Sequence, residues 1–331
     1  MLNKNSLNKT ILVTGGSGFL GSSLCRRLVK LGHKVKIFDN NSRGSLKKIS
    51  DIINEVEFIE GDIRNIDQVL AASNGVDIIF HLSFVNGTKY FYEKPELVLE
   101  VGLKGALNTL EAAKKISCDT FIMASSSEVY NQPLNIPTNE LERAIIPDIH
   151  NPRFSYAGGK LISELLTINY LRETNIKDLI FRPHNVFGPN MGFEHFLPEI
   201  IKKIFIASDS FQNDECLIKI QGSGQETRAF CYIDNAIDQL IYIMDSGIKG
   251  EIYNIGMETE KSINEVISDI SKILNIKINI VHSDVLEGST SRRCPDISKI
   301  KSIGYKKIDS YFSGLNTTVE WYKNYYLDNY V

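Results

Sequence analysis

The sequence predicts an α/β protein, a doubly wound parallel sheet with a smaller C-terminal lobe. Three observations point there. Short apolar runs alternate with helical apolar stripes through the first half of the chain. A glycine triplet, Gly15, Gly18 and Gly21, joins the first run to the first stripe. A carboxylate, Asp39, closes the second run about twenty residues after the triplet.

The run Ile11-Leu12-Val13-Thr14 reads as a strand that turns through G-x-x-G-x-x-G into a helix. In such a joint the first glycine takes positive φ, the second lets a pyrophosphate reach the backbone, and the third removes a side chain where helix packs on strand. The free N–H groups and the positive end of the helix dipole favour a phosphate there. A helix over residues 19–31 follows, with Leu20, Leu24, Leu28 and Leu31 on one stripe and Gly32 closing it. Residues 34–38 form the second strand, and Asp39 stands where a carboxylate accepts bonds from a ribose 2′-OH and repels a 2′-phosphate. NAD is therefore expected over NADP, although Arg43 nearby is of the type that accepts that phosphate.

Further strands are expected at 56–59, 78–82, 120–124, 179–182 and 251–255. Helices are expected at 96–115, 156–173, 235–244 and 263–274, with an irregular tyrosine-rich loop at 83–94. Strand–helix alternation implies right-handed crossovers and a Rossmann-type sheet covered on both faces. Residues 1–182, with returning segments near 227–256, are expected to form the dinucleotide-binding part, and 183–331 mainly a discontinuous second lobe. Residues just past strand ends face the crevice of such a sheet. Asp62 and Ile63 thereby join Gly15, Gly18, Phe19, Leu20, Gly21 and Asp39, though a simple turn suits them equally, and Asn40, Leu82, Pro183, Tyr156 and Lys160 complete the expected cofactor set.

Composition bounds the rest. At 331 residues the chain can bury a large core, and a net charge of −3 gives no reason to expect nucleic acid or an anionic membrane as partner. No apolar run approaches the roughly 18 residues a membrane span needs. The polar segment 1–9 has no hydrophobic region of a signal peptide, so a cytoplasmic location is expected. The five cysteines are scattered without C-x-x-C spacing and the six histidines form no ligand pair; reduced thiols and no metal follow.

Two stretches bear chemistry. Ala124-Ser125-Ser126-Ser127-Glu128-Val129-Tyr130 lies at the end of the fifth strand, and Tyr156-Ala157-Gly158-Gly159-Lys160 opens a helix. Tyr156 and Lys160, four apart, share a helical face. An ammonium beside a phenol favours phenolate, bringing its pKa of about 10 toward working pH. Such a tyrosine removes a hydroxyl proton as hydride leaves the same carbon, with Ser126 orienting the hydroxyl.

With the glycine turn, these motifs make the chain resemble the extended short-chain dehydrogenase/reductase family of nucleotide-sugar epimerases, dehydratases and decarboxylases. The resemblance runs from Gly15 to about Ile308. It also rests on Arg182-Pro183-His184-Asn185-Val186-Phe187-Gly188-Pro189, Thr227-Arg228-Ala229-Phe230-Cys231-Tyr232-Ile233-Asp234 and Arg292-Arg293-Cys294-Pro295-Asp296-Ile297-Ser298-Lys299. It implies a tightly held NAD that oxidises a sugar at C4, a second lobe gripping a nucleoside-diphosphate sugar, and a homodimer. The dimer would form through the Y-x-x-x-K helix and the long helix before it, where Leu97, Val101 and Leu107 serve an interface or the core equally well. By the same resemblance Ser126, Glu128, Tyr156, Lys160 and Arg228 are catalytic, while Tyr90, Ser127, Asn185, Arg228 and Arg292 meet the substrate.

Glu128 bears on the branch. Once C4 is a ketone, a carboxylate there can take the C5 proton of a dehydratase substrate, or destabilise a C6 carboxylate so that CO2 departs. UDP-glucuronate decarboxylases resemble this chain in S-S-E-V-Y, in Pro152-Arg153 through Lys160, in Thr227 to Tyr232 and in Tyr90 and Tyr92 before Pro95. Gly102 in place of the usual Asn, Asn131-Gln132, Pro183-His184 and the 191–195 loop depart from that pattern. Decarboxylation leads; 4-epimerisation, 4,6-dehydration, net NAD(P)-dependent oxidoreduction and a non-catalytic binding role stay open.

Overall fold

Side chains alternate across a strand, and this divides the apolar runs of the N-terminal half between two cores. In the computed structural model, which describes residues 8–283, 290–306 and 308–330, Ile11 and Val13 face one side of the sheet and Leu12 the other. Ile122 and Phe121 split in the same way. The chain runs β1 (Thr10–Thr14), α1 (Phe19–Lys30), β2 (Lys34–Asp39), β3 (Val56–Glu60), α2 (Ile66–Ala72), β4 (Ile78–His81), α3 (Thr88–Glu93), α4 (Pro95–Ile116), β5 (Thr120–Ala124), α5 (Ser155–Leu171) and β6 (Lys177–Pro183). β7 (Val186–Phe187), α6 (Phe196–Ala207), β8 (Glu215–Gln221), β9 (Thr227–Ala229), β10 (Cys231–Tyr232), α7 (Ile233–Ser246) and β11 (Glu251–Ile255) follow. β12 (Glu260–Ser262), α8 (Ile263–Leu274), β13 (Lys277–Ser283), β14 (Arg292–Arg293), α9 (Ser298–Ser302) and α10 (Tyr311–Tyr330) complete it.

Seven strands form one wholly parallel sheet in the order β3-β2-β1-β4-β5-β6-β11. One face is covered by α1 and α7, through Leu24, Leu28, Ile237 and Leu240; the other by α2, α4 and α5, through Val69, Leu110 and Leu171. The strand order reverses between β1 and β4, which opens a crevice at the C-terminal ends of the strands. A third core fills the second lobe, where α6, α8 and α10 bury Ile201, Val266 and Tyr322 against the β8–β13 pair.

Several elements differ from the sequence expectation. The 83–94 stretch is not wholly irregular: α3 forms after Gly87, whose φ of 130° suits glycine, and Phe91 of this helix stacks on Tyr156 at 4.9 Å. The less regular 183–226 region holds α6 and β8, and α2, β13 and α10 are likewise additional. Of the polar segment 1–9, residues 1–7 lie outside the described residues. No described helix is long and apolar enough to cross a membrane. No group of His, Cys, Asp and Glu among the described residues is placed to hold a metal.

Candidate active site

A cleft of about 560 Å³ follows the strand ends from the glycine turn to Arg293. At the turn, Gly15 has φ +73°, and a Cβ on it would meet the Ser83 backbone nitrogen at 2.9 Å. A Cβ on Gly21 would lie 2.2 Å from the Gly15 carbonyl oxygen, so α1 sits closer to the turn than any side chain allows. The start of α1 has no side-chain cap and no acidic residue in its first turn. Its amides and dipole are thus left for an anion, and Gly18, Phe19 and Leu20 line the cleft there.

The Asp39 carboxylate, buried at the end of β2, accepts the amides of Ser17 at 3.1 Å and Asn41 at 2.9 Å. Both contacts fix it at the cleft wall beside Asn40, with Ile63 and Leu82 nearby. Arg43 does not stand free as a phosphate receptor: its guanidinium lies 3.7 Å from Glu194 and 4.6 Å above the Tyr90 ring. These residues fit NAD. Asp39→Ser should weaken NAD about 10- to 100-fold, as expected for a lost charge-assisted hydrogen bond, and narrow the preference over NADP. Equilibrium dialysis of both cofactors reads this directly.

Deeper in the cleft Ser126, Tyr156 and Lys160 come together. Ser126 precedes a short 3-10 turn over Ser127–Tyr130, and its hydroxyl accepts the Glu128 amide at 3.2 Å. The same hydroxyl is within hydrogen-bonding reach of the Tyr156 phenol. Lys160, one helical turn along α5, donates to the Ala124 carbonyl at 2.6 Å. Burial pushes the Lys160 ammonium down to about 7, against the pull of Glu164. Burial also raises the Tyr156 phenol well above its usual range, opposed by the Ser126 bond and reinforced by Glu128. The expected lowering of the phenol is not what this site shows: desolvation dominates, and Ser126, not Lys160, opposes it.

Glu128 lies at the far end of the cleft, its side chain about one-third exposed, and accepts both guanidinium arms of Arg293, one of them at 3.3 Å. Burial is the largest single influence and raises this carboxyl. The charge and hydrogen bonds of Arg293, with the charges of Arg153 and Arg228, overcome it and leave Glu128 below the usual range. Arg293 and Arg153 line the cleft around this carboxylate, while Arg228, which Glu226 also attracts, acts on it from outside the lining.

The placement of the expected residues is uneven. Gly15, Gly18, Phe19, Leu20, Gly21, Asp39, Asn40, Ile63, Leu82, Pro183, Ser126, Ser127, Glu128, Tyr156, Lys160 and Asn185 line the cleft. Asp62 is turned to Arg64, which it accepts at 2.6 Å. Tyr90 stands under Arg43 at the rim. Arg228 spends its guanidinium on the carbonyls of Thr227, Thr290 and Ser291, and reaches Glu128 by charge only. Arg292 lies outside the cleft lining: it is exposed and paired with Glu260 at 2.6 Å, and Arg293 is the one that lines the cleft. The two are successive residues of β14, which pairs with β9, and a strand points neighbours to opposite faces. Arg153 also lines the cleft, from the turn before α5. Leu97 and Val101, both half-buried, line the cleft, and Val101 also packs on the core.

A parallel sheet with its glycine turn, and a Ser–Tyr–Lys set at its crossover, define a Rossmann-type enzyme of the extended short-chain dehydrogenase/reductase class. The sequence model of the NAD-dependent epimerase/dehydratase family matches residues 11–256, and the chain belongs to that family. It is 32% identical to the UDP-N-acetyl-alpha-D-glucosaminuronate decarboxylase of Bacillus cytotoxicus over 328 residues, 96% of this chain and 98% of that one. It is 29% identical to UDP-glucuronic acid decarboxylase 1 of Xenopus tropicalis, over 95% of this chain and 72% of the relative. Among solved structures, UDP-glucuronic acid 4-epimerase from Bacillus cereus, in complex with UDP-glucuronic acid and NAD, superposes with a TM-score of 0.82. That pair is 27% identical, over 96% of this chain and all of the other. The protein is an NAD-dependent enzyme of this family.

Proposed function

We propose that the protein decarboxylates a nucleoside-diphosphate hexuronate through a 4-keto sugar. The observation that carries this reading is the far end of the cleft, where both Arg293 and Arg153 stand around the carboxylate of Glu128. A guanidinium beyond the one that Glu128 neutralises is there to meet a substrate carboxylate. Relatives named as decarboxylases of UDP-uronates support the same choice.

NAD, when bound against the glycine turn and Asp39, supplies the hydride acceptor for C4. The remaining steps belong to the chain. Ser126 orients the C4 hydroxyl and Tyr156 takes its proton, with Lys160 as the cation beside it. Once C4 is a ketone, the C6 carboxylate is β to a carbonyl. Cleavage of the C5–C6 bond releases CO2 and leaves its electron pair as an enolate on the C4 oxygen, which Tyr156 and Ser126 stabilise by hydrogen bonds. Glu128, fixed by Arg293, holds the reacting end of the sugar in register; C5 then takes up a proton, and with hydride restored to C4 Tyr156 returns its proton to the C4 oxygen, so that CO2 is the only mass lost.

The 4-epimerase reading is supported by the structural likeness to an epimerase that binds UDP-glucuronic acid and by a relative named as a putative UDP-glucose 4-epimerase. Product mass decides between them. UDP-glucuronate and UDP-N-acetylglucosaminuronate should each be incubated with the enzyme, alongside UDP-glucose, dTDP-glucose and GDP-mannose. Loss of CO2 is the expected result; unchanged mass with inverted C4 means epimerisation, and loss of water means dehydration. Arg293→Met should lower decarboxylation about 10²- to 10³-fold, the usual cost of removing one preorganised charge stabiliser. The working unit we propose is a cytoplasmic homodimer formed through α4 and α5, on whose surface Ile162 and Leu165 are exposed. Sedimentation measures that state.

A further inference from the structure

Phe84 lies just beyond β4 in the cleft wall, and no step above uses it. Its ring stands edge-on to the Tyr156 ring, with centroids 5.2 Å apart, and the Lys160 ammonium nitrogen is 4.0 Å from its centre. The tip of the ring enters between two helices at paired glycines. A Cβ on Gly102 of α4 would lie 2.2 Å from the ring's Cζ, and one on Gly159 of α5 would lie 2.9 Å from it. Two helices have thus each given up a side chain at the place where the ring is seated. Gly102 is also the position at which the chain departs from the Asn common in the proteins it resembles.

We infer that Phe84 is a positioning residue for catalysis: its π face, seated by Gly102 and Gly159, holds the Lys160 ammonium beside Tyr156. Among the described residues the lysine donates to the Ala124 carbonyl, and the aromatic face receives another side of the cation. A ring quadrupole attracts the charged amine while contributing no acceptor that competes with a sugar or ribose hydroxyl. The other titratable or charged groups around Lys160 are Tyr156 and Glu164 on its own helix, His81 on β4 and, bonded to Glu164, Arg182 on β6. Of these, the Tyr156 ring also lies within cation–π range of the ammonium, at 5.8 Å, and Phe84 at 4.0 Å is the nearer face. The role holds for any reaction run by the Tyr–Lys pair, and in this sense it rests on the proposed function only through that pair.

The test reads Lys160 itself, so that it is independent of which sugar turns over. In the NAD-loaded enzyme labelled with 13C at lysine Cε, the Lys160 signal is assigned by its loss in Lys160→Arg and followed from pH 5 to 10. Phe84→Leu, which keeps an apolar side chain and removes the π face, should move the titration down by about half a unit to one unit. Phenylalanines carrying one, two and three ring fluorines at position 84 should move it in graded steps, since they keep the shape and weaken the quadrupole. Gly102→Ala, which displaces the ring without touching either partner, should lower the titration in wild type and leave it unmoved in a Phe84→Ala background. An unchanged titration in Phe84→Leu and across the fluorinated series overturns the assignment. If no UDP-uronate loses CO2 while Lys160 still shifts, the proposed reaction fails and this inference stands.

Discussion

Tyr156→Phe should lower turnover about 10²- to 10⁴-fold, the range for loss of a positioned proton acceptor, while NAD stays bound and the fold stays intact. The phenol touches Ser126 and lies against Phe84 and Phe91 in a buried aromatic nest, so phenylalanine keeps the packing and removes one hydroxyl. Steady-state rates on the substrate found in the product-mass panel, with Tm as the control for folding, measure the effect. A variant within tenfold of wild type would exclude a phenol-driven proton transfer. The structure adds a reason to expect a large loss: burial, reinforced by Glu128, holds this phenol above its ordinary range, so activation has to come from positive charge brought into the cleft.

Arg182→Met should have the largest effect on stability. Arg182 and Glu164 are almost fully buried beneath the site, joined by two hydrogen bonds of 2.8 and 2.6 Å, and Arg182 also donates to the Tyr130 hydroxyl at 2.9 Å. Ser125 donates to the same Glu164 carboxylate. Removing the guanidinium leaves a buried carboxylate without its cation, at a cost of about 3–5 kcal/mol, or roughly 4–7 °C in Tm for a chain of this length. Adding Glu164→Gln to Arg182→Met should recover part of that loss, because most of the cost lies in the stranded charge. Calorimetry of the two variants tests this; a double variant no more stable than the single one would show that the cost is packing instead.

How much of this was legible in the chain depends on how local the signal is. The seven-stranded sheet could be read from β1 to β6 because apolar runs, turns and helical stripes alternate within short windows. β8 was legible in principle: Cys216, Ile218 and Ile220 are buried and Leu217 and Lys219 face out, a period of two. Its surroundings lack regular neighbours, and its partner β13 is some sixty residues away, so no short window holds the pair. The cofactor end follows directly from the motif, since Gly15, Gly21 and Asp39 act through backbone geometry that the motif encodes.

The substrate end is harder to read. Motif position alone does not distinguish Arg292 from Arg293; alternation on a two-residue strand does, but the strand exists only through its pairing with β9. Phe84 reads as a loop aromatic until α4 and α5 bring Gly102 and Gly159 together around it. The falling pKa of Lys160 and the rising one of Tyr156 likewise depend on burial, which no spacing of two residues reveals.

The last strand of the sheet, β11, pairs with β6 although it lies about seventy residues further along the chain, after most of the second lobe. A nascent chain therefore carries β6 with one side unpaired until residue 255 has emerged from the ribosome. A fragment cut after residue 182 keeps that open strand permanently, and it should associate with copies of itself through that side instead of yielding a free cofactor-binding module.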